Sequence, residues 1–408
     1  MKNKKIFSWV MYDWANSAYA TIVLAGFYPI IFAENFALLF SDVERTLVLG
    51  ISNSSASLLL IILAPLIGLL SDRKQDKKNF LIFFALISIS STLLLSFVGE
   101  NSWMLASLLF SISLFGFMLS NVFYDSMLVN FEGSDKNYDS ISSYGYAIGY
   151  LGGGIAFVLS LLFLFYFDDK TMTLIAEKKI VFIFTALWWL IFMIPLILYW
   201  KNDDGNISSD KINLLDTYRY VKNDKRLLYF LFAYWIYIDG VDTIIRMAVN
   251  YGMTIGFTSS DLLIALLVTQ FVSFPGTLLI NKLASYYTID ISIKICLFIY
   301  IIITFISFNL TSIYEFYLIA ILIGLVQGGI QALSRSYYAR LIPRNRSSEL
   351  YGVYNMLGKF AALIGPLVVG LVSYMFDSTR IGILSLSLFF IFGIYLFNKQ
   401  SRIKVTNN

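Results

Sequence analysis

The sequence predicts an all-α membrane protein in which twelve spanning helices form two six-helix halves. Three observations predict it. The 408 residues are 58% apolar and only 14% charged, whereas a soluble domain is about half apolar and about a quarter charged. The apolar residues gather into runs long enough to cross a bilayer, which takes roughly 20 residues. The longest polar interval, KNDDGNISSDKINLLDTYRYVKNDKRL at 201–227, falls after the sixth run.

The segments lie near 6–33, 46–70, 80–98, 102–130, 141–167, 180–200, 228–252, 261–281, 291–308, 314–340, 351–375 and 380–398. They divide the chain into an N-terminal half over 1–200, a linker over 201–227 and a C-terminal half over 228–408. The start, MKNKKIFSWV, is basic like a signal peptide. The segment after it carries Asp13 and Asn16, shows no small-residue cleavage site and is too long for a signal core. It is therefore expected to remain as the first span.

Orientation follows from Lys and Arg in the loops. With the N-terminus inside, 23 of the 30 fall on the cytoplasmic side, the termini, the linker and loop 10–11 among their positions. The outside loops hold Arg45, Lys170, Lys178, Lys179 and Arg380, while Arg246 and Lys359 lie within spans. Both termini and the linker are expected to be cytoplasmic.

The two halves share a weak repeat. Trp9, Asp13, Asn16 and Ser17 in span 1 recur at the same spacing as Trp235, Asp239, Asp242 and Thr243 in span 7. Each set falls on the first span of its half, where inverted or parallel repeats of carriers place equivalent residues.

Between spans 2 and 3 the chain reads GLLSDRKQDKK, with Gly68, Asp72, Arg73 and a basic run behind them. This resembles the G-x-x-x-D-R signature of the major facilitator superfamily. Gly lets two helices approach, the Asp can cap or pair, and the Arg can tie the halves together. These three residues are candidates for gating. A positive loop with incidental acids is the alternative. The second-half counterpart, NKLASYY, lacks all three.

Polar residues form stripes on the first and fourth spans of each half, at the i, i+3, i+4, i+7 spacing of one helix face. They are Asp13, Asn16, Ser17 and Thr21 in span 1, and Ser113, Gly116, Ser120, Asn121, Tyr124 and Asp125 in span 4. Span 7 has Asp239, Asp242, Thr243, Arg246 and Asn250, and span 10 has Gln327, Gln331, Ser334 and Arg335. In the facilitator fold these four spans line the central cavity. An ionised Asp at the bilayer centre costs roughly 2.5–3.5 kcal/mol even on lenient scales, so each intramembrane acid marks a functional site by default. Ser and Asn also serve as interhelical glue.

Well inside the spans stand three acids, Asp13, Asp239 and Asp242, and two bases, Arg246 and Lys359. Asp242 and Arg246 share a face at i, i+4 and can pair, and Lys359 can serve another acid. One carboxylate is left over, to carry a proton or to meet a cation or ammonium group. The alternative is a structural charge network that holds the halves in register. Asp125 and Arg335 lie nearer the cytoplasmic ends, where contacts with Arg73 or lipid headgroups are expected. Gly145, Gly149, Gly152 and Gly153 in span 5 form a small-residue stripe suited to close packing and sliding.

YDWANSAYAT, SSYGYAIGYLGGG, YWIYIDGVDT, GGIQALSRSYYARLIP and GKFAALIGP, spread over both halves, resemble the vacuole effluxer family. This is the autophagy-related branch of the major facilitator superfamily, and it has many bacterial members. The resemblance implies twelve helices and a rocking carrier, with amino-acid export, leucine included, in the yeast vacuolar member. It carries polar family positions onto Asp13, Asn16, Asp239, Gln331, Ser334, Arg335 and Lys359. Asp125 departs from it, since a neutral residue such as Asn is expected there.

The expectation is a secondary active transporter in a bacterial cytoplasmic membrane, working by alternating access on a small polar solute, an amino acid first, with proton coupling. Asp13, Asn16, Ser17, Asp239, Asp242, Arg246, Gln331, Ser334 and Lys359 are the candidates for substrate and proton binding. Gly68, Asp72, Arg73, Asp125 and Arg335 are the candidates for gating. Efflux of drugs or organic cations is the rival within transport, and a non-transporting receptor on a carrier fold is the rival outside it. No nucleophile–base pair, phosphate loop or metal set appears, so no enzyme, metal or cofactor is expected. The partners expected are the solute, the proton and the bilayer, not nucleic acid, and a monomer suffices. One Cys, Cys296, excludes an internal disulfide, and the lack of His leaves proton chemistry to other side chains.

Overall fold

The computed structural model describes residues 2–131, 135–166, 174–202 and 214–401. Lys170, the linker stretch 203–213 and the C-terminal Arg402 and Lys404 lie outside the described residues, as does the side chain of Asn250. Among the described residues, twelve helices are long and apolar enough to cross a membrane. They are Lys4–Phe36, Leu47–Lys74, Lys77–Leu95, Trp103–Asn130, Tyr138–Leu164, Lys179–Tyr199, Lys225–Ala248, Ile264–Tyr286, Ile289–Phe308, Ile313–Leu341, Arg344–Met375 and Thr379–Gln400. They are spans 1 to 12 below.

The spans begin where side chains can satisfy the first backbone N–H groups. Ser41 with Glu44, Thr258 with Asp261, and Ser312 with Glu315 form reciprocal capping boxes. The Ser41 backbone N–H and hydroxyl hold the Glu44 carboxyl below the usual carboxylate range. Span 2 stays helical through Lys74 and closes on Gln75 in the left-handed region, φ 51°. Asp72 and Arg73 therefore sit on the last turn of a helix, not in a loop as the GLLSDRKQDKK pattern suggests. Span 1 widens after Ala18 into π-helical turns over Tyr19–Phe27. The Thr21 hydroxyl donates there to the carbonyls of Ser17, at 2.7 Å, and Gly153, at 3.3 Å. Beyond Ala18 the span 1 stripe thus leaves the α-helical register that defines it in sequence.

By contacts the chain divides into two units. One is Met1–Met127 with Ile148–Ser208, and the other is Leu128–Ala147 with Ser209–Asn408. The stretch 128–147 belongs in sequence to the first six spans and in contacts to the second unit. The helix Asp135–Tyr166 is continuous across the change.

The first unit packs around aromatic residues. Trp9 stacks on Tyr124 with ring centroids 4.3 Å apart, Tyr28 on Phe110 at 3.9 Å, and Tyr19 tilts against Trp189. The second has its own cluster, in which Tyr234 stacks on Tyr354 at 4.0 Å and Tyr338 on Tyr354 at 4.8 Å. Large apolar side chains such as Leu58, Ile62, Phe83, Phe298 and Leu388 point outward and are exposed. Such patches are rare on soluble monomers and natural against acyl chains.

A short linker helix, Leu214–Asn223, precedes span 7 and docks on the start of span 11. The Thr217 hydroxyl donates to the fully buried Glu349 carboxylate. Arg346 pairs with that carboxylate at 2.9 Å and lies over the Tyr220 ring.

Candidate functional site

Asp13 is buried in the first unit, and its Oδ2 accepts from the Tyr124 hydroxyl at 3.0 Å. Tyr124 is fixed in turn: its ring stacks on Trp9, and its carbonyl accepts from the Trp9 indole at 3.0 Å. On its other side Asp13 faces Gly149. A Cβ at 149 would stand 3.0 Å from the Asp13 carboxyl carbon and 2.9 Å from Ser17 Oγ. Asn16 donates to Asn121 Oδ1 at 2.6 Å, which ties span 1 to span 4. The glycine stripe of span 5 thus packs on span 1, where Gly152 meets the face of Trp14.

Asp239 occupies the matching place in the second unit and is 2% exposed. Its Oδ1 accepts from the backbone N–H of Gly365 at 2.8 Å and from Thr243 Oγ1 at 3.4 Å. A Cβ at 365 would overlap both Asp239 Oδ1 and Thr243 Oγ1, so only Gly fits this approach. One arrangement is built twice. The first span of each half offers a carboxylate and, four residues on, a hydroxyl; the fifth span offers a glycine against both.

The remaining candidates of the second half lie on spans 7, 10 and 11. Tyr237 and Ser334 share a hydrogen bond at 2.6 Å between spans 7 and 10. Gln331 is half-buried on span 10. Asp242 is half-buried, and Arg246 and Lys359 are the cations that act on it electrostatically. Arg246 is exposed, and no ion-pair contact joins it to Asp242. The i, i+4 pairing expected from sequence is not made: Arg246 is exposed to solvent or lipid while Asp242 is half-buried.

Arg335 corrects another expectation. It is 2% exposed, so its guanidinium is turned into the protein and not out to lipid headgroups. Its Nε donates to Ser142 Oγ at 2.9 Å and its Nη2 to the Ser142 carbonyl at 3.0 Å, while its guanidinium lies 4.2 Å from the Tyr146 ring centroid. Beside it, Asp139 accepts from Ser336 Oγ and Arg340 Nη2, each at 2.6 Å. Ser142 donates on to the Ala332 carbonyl, and Arg344 to that of Val129. Within the second unit, the start of span 5 is therefore pinned to the end of span 10 by a polar cluster. Of the other gating candidates, Gly68 and Asp125 are buried and Asp72 and Arg73 half-buried. Lys77, from the same basic run, is 8% exposed and reaches the Ser126 carbonyl at 3.5 Å.

Residues 36–405 match the model of the vacuole effluxer Atg22-like family. A Bacillus subtilis protein described as an uncharacterized MFS-type transporter, YxiO, is 34% identical over 95% of this chain and 93% of its own. This chain belongs to the vacuole effluxer Atg22-like family. Autophagy-related protein 22 of the yeast Vanderwaltozyma polyspora is 23% identical over 79% of this chain and 71% of its own. Among solved structures, the major facilitator FucP in its outward conformation superposes with a TM-score of 0.77 at 12% identity, over 98% of this chain and 99% of that one. A bacterial homologue of the iron transporter ferroportin in an outward-facing state gives 0.74 at 14%, with the same coverage. The fold is that of the major facilitator superfamily.

For this effluxer-family chain, sequence reasoning found both carboxylates, read Gly149 as packing without its contact to Asp13, and missed Gly365. A signal was present. Ile148, Gly149, Leu151 and Gly154 in span 5 recur at constant offset as Ile364, Gly365, Leu367 and Gly370 in span 11. Sequence reasoning also missed Asp139, Ser142, Ser336 and Arg340, which lie just outside or at the edge of apolar runs and read there as loop or incidental polar residues.

Proposed function

We propose that this chain is a proton-coupled secondary transporter that works by alternating access and carries a small polar solute, an amino acid first. Its place is the cytoplasmic membrane of a bacterium, with both termini inside. The fold and the family support a carrier, and the excess of Lys and Arg on one side supports the orientation.

One observation carries the coupling. Asp239 lies in the apolar part of span 7, and its hydrogen-bond partners are neutral, a backbone N–H and a hydroxyl. A carboxylate so placed costs several kcal/mol to keep charged without a cation. It lowers that cost by taking up a proton or by meeting a cationic group of the solute. Asp13, with Tyr124 and Asn16 beside it, supplies the same chemistry from the other half. Arg246 and Lys359 are the groups to meet a solute carboxylate, and Gln331, Ser334 and Ser17 supply neutral hydrogen bonds. Acids and bases of this kind suit a zwitterion. The cluster of Arg335, Ser142, Asp139 and Arg340 joins Gly68, Asp72, Arg73 and Asp125 as gating residues.

The test is uptake of a labelled amino-acid panel into proteoliposomes, with and without an imposed pH gradient. Accumulation of one compound only under the gradient is the expected result. Folded protein that accumulates none of them under any gradient sinks the amino-acid assignment.

A further inference from the structure

The two carboxylates differ in the atom that holds them. The Tyr124 hydroxyl at Asp13 can donate to a carboxylate or turn and accept from a carboxylic acid. The Gly365 N–H at Asp239 can only donate. Protonating Asp239 therefore weakens a charge-assisted bond, which is roughly twice as strong as its neutral counterpart, and leaves the Thr243 hydroxyl, at 3.4 Å, as the partner that can serve either state.

The chain beside that bond is a weak point in its helix. Gly365 has no side chain, and Pro366 follows it inside span 11. Proline supplies no N–H and crowds the carbonyl four residues earlier, which makes its position the usual site of a kink. At the equivalent step of span 5 the residue after Gly149 is Tyr150.

We propose that Gly365 is the positioning residue of Asp239, and that Gly365–Pro366 is a hinge in span 11 whose bend follows the charge on Asp239. Charged, the carboxylate holds the hinge to span 7 through the Gly365 N–H. Protonated, it holds the hinge only through a weaker, neutral bond, and the outer part of span 11 is freer to swing about Pro366. This rests on the proton-coupled reading and adds the part that moves. Other ionisable groups are near enough to matter. Asp242 acts on Asp239 directly, and Arg246 and Lys359 act on Asp242. On the other elements packed against span 7, Arg380 and Lys399 lie at the ends of span 12, and Asp261 and Lys282 at the ends of span 8. Arg335 of span 10 is turned to Ser142.

The test is a distance as a function of pH. With Cys296→Ser, Tyr314→Cys and Tyr374→Cys place spin labels at the start of span 10 and the end of span 11; both sites are strongly exposed. Pulsed electron paramagnetic resonance in lipid nanodiscs is expected to show a label distance that shifts with pH. Asp239→Asn is expected to abolish the shift, and Asp13→Asn to keep it. Pro366→Ala restores a helical N–H and is expected to shrink its amplitude. A distance that ignores pH, or that shifts with the same midpoint in Asp239→Asn, overturns the hinge. No solute is needed, so a failed amino-acid panel leaves this result standing, and a pH-silent distance rejects the hinge even in a protein that transports.

Discussion

The two halves present the same carboxylate on the same helix, and each is seated on a glycine of the fifth span. They diverge in the kind of donor that holds them. Asp13 is held by a hydroxyl that can serve either protonation state. Asp239 is held at 2.8 Å by a backbone N–H that serves only one, next to a proline, with the Thr243 hydroxyl farther off at 3.4 Å. Duplication thus explains where the acids stand, and the difference between partners separates their roles. The first is suited to hold a solute, the second to turn a proton into movement.

The largest effects should come from the acids. Asp239→Asn and Asp13→Asn are each expected to reduce gradient-driven accumulation to background while both proteins fold, as read by uptake and by thermal melting in detergent. Only Asp239→Asn should also remove the pH-dependent distance. Loss of that distance in both variants would erase the proposed division of labour.

The glycines come next. Gly365→Ala forces a Cβ into Asp239 and Thr243, and overpacking of this kind costs about 1–3 kcal/mol. Gly149→Ala meets Asp13 and Ser17 at about 3 Å and should cost less. Paired melting curves test the order, and an equal loss in both would mean that the two seats are the same.

A smaller effect is expected at the cluster on span 5. Arg340→Gln removes a charged donor from Asp139, worth roughly 1.5–3 kcal/mol for hydrogen bonds to charged groups. If the cluster gates, the variant's transport rate should change while its pH dependence stays. A shifted pH profile would instead place Asp139 in the coupling path.

The smallest change is Tyr124→Phe. It removes one donor to Asp13, on the order of 1 kcal/mol net. It should raise the apparent KM for the solute and leave the label distance unchanged. An altered distance would connect the first half to the hinge.

Much of this architecture was legible in sequence. Hydropathy runs set the spans because lipid forces every backbone polar group into a helix, and Asp13 and Asp239 stood out because intramembrane acids are costly. What sequence could not supply is direction. Arg335 lies in a run of Ser and Tyr near the end of span 10 and reads as a surface cation, yet its side chain turns inward to Ser142. Asp242 and Arg246 share a helix face by spacing, but one is half-buried and the other exposed, with no ion pair between them. Gly149 reads as a packing residue and Gly365 carries no role in sequence; their contact with the carboxylates appears only once spans 1 and 5, or 7 and 11, lie side by side.

The central claim is that Asp239 carries the coupling proton. The direct measurement compares wild type with Asp239→Asn in proteoliposomes loaded with the solute that the amino-acid panel identifies. It follows solute exchange at equal pH and net accumulation under a pH gradient. Exchange that persists in the variant while accumulation vanishes is the predicted result. Accumulation in the variant equal to wild type would contradict it.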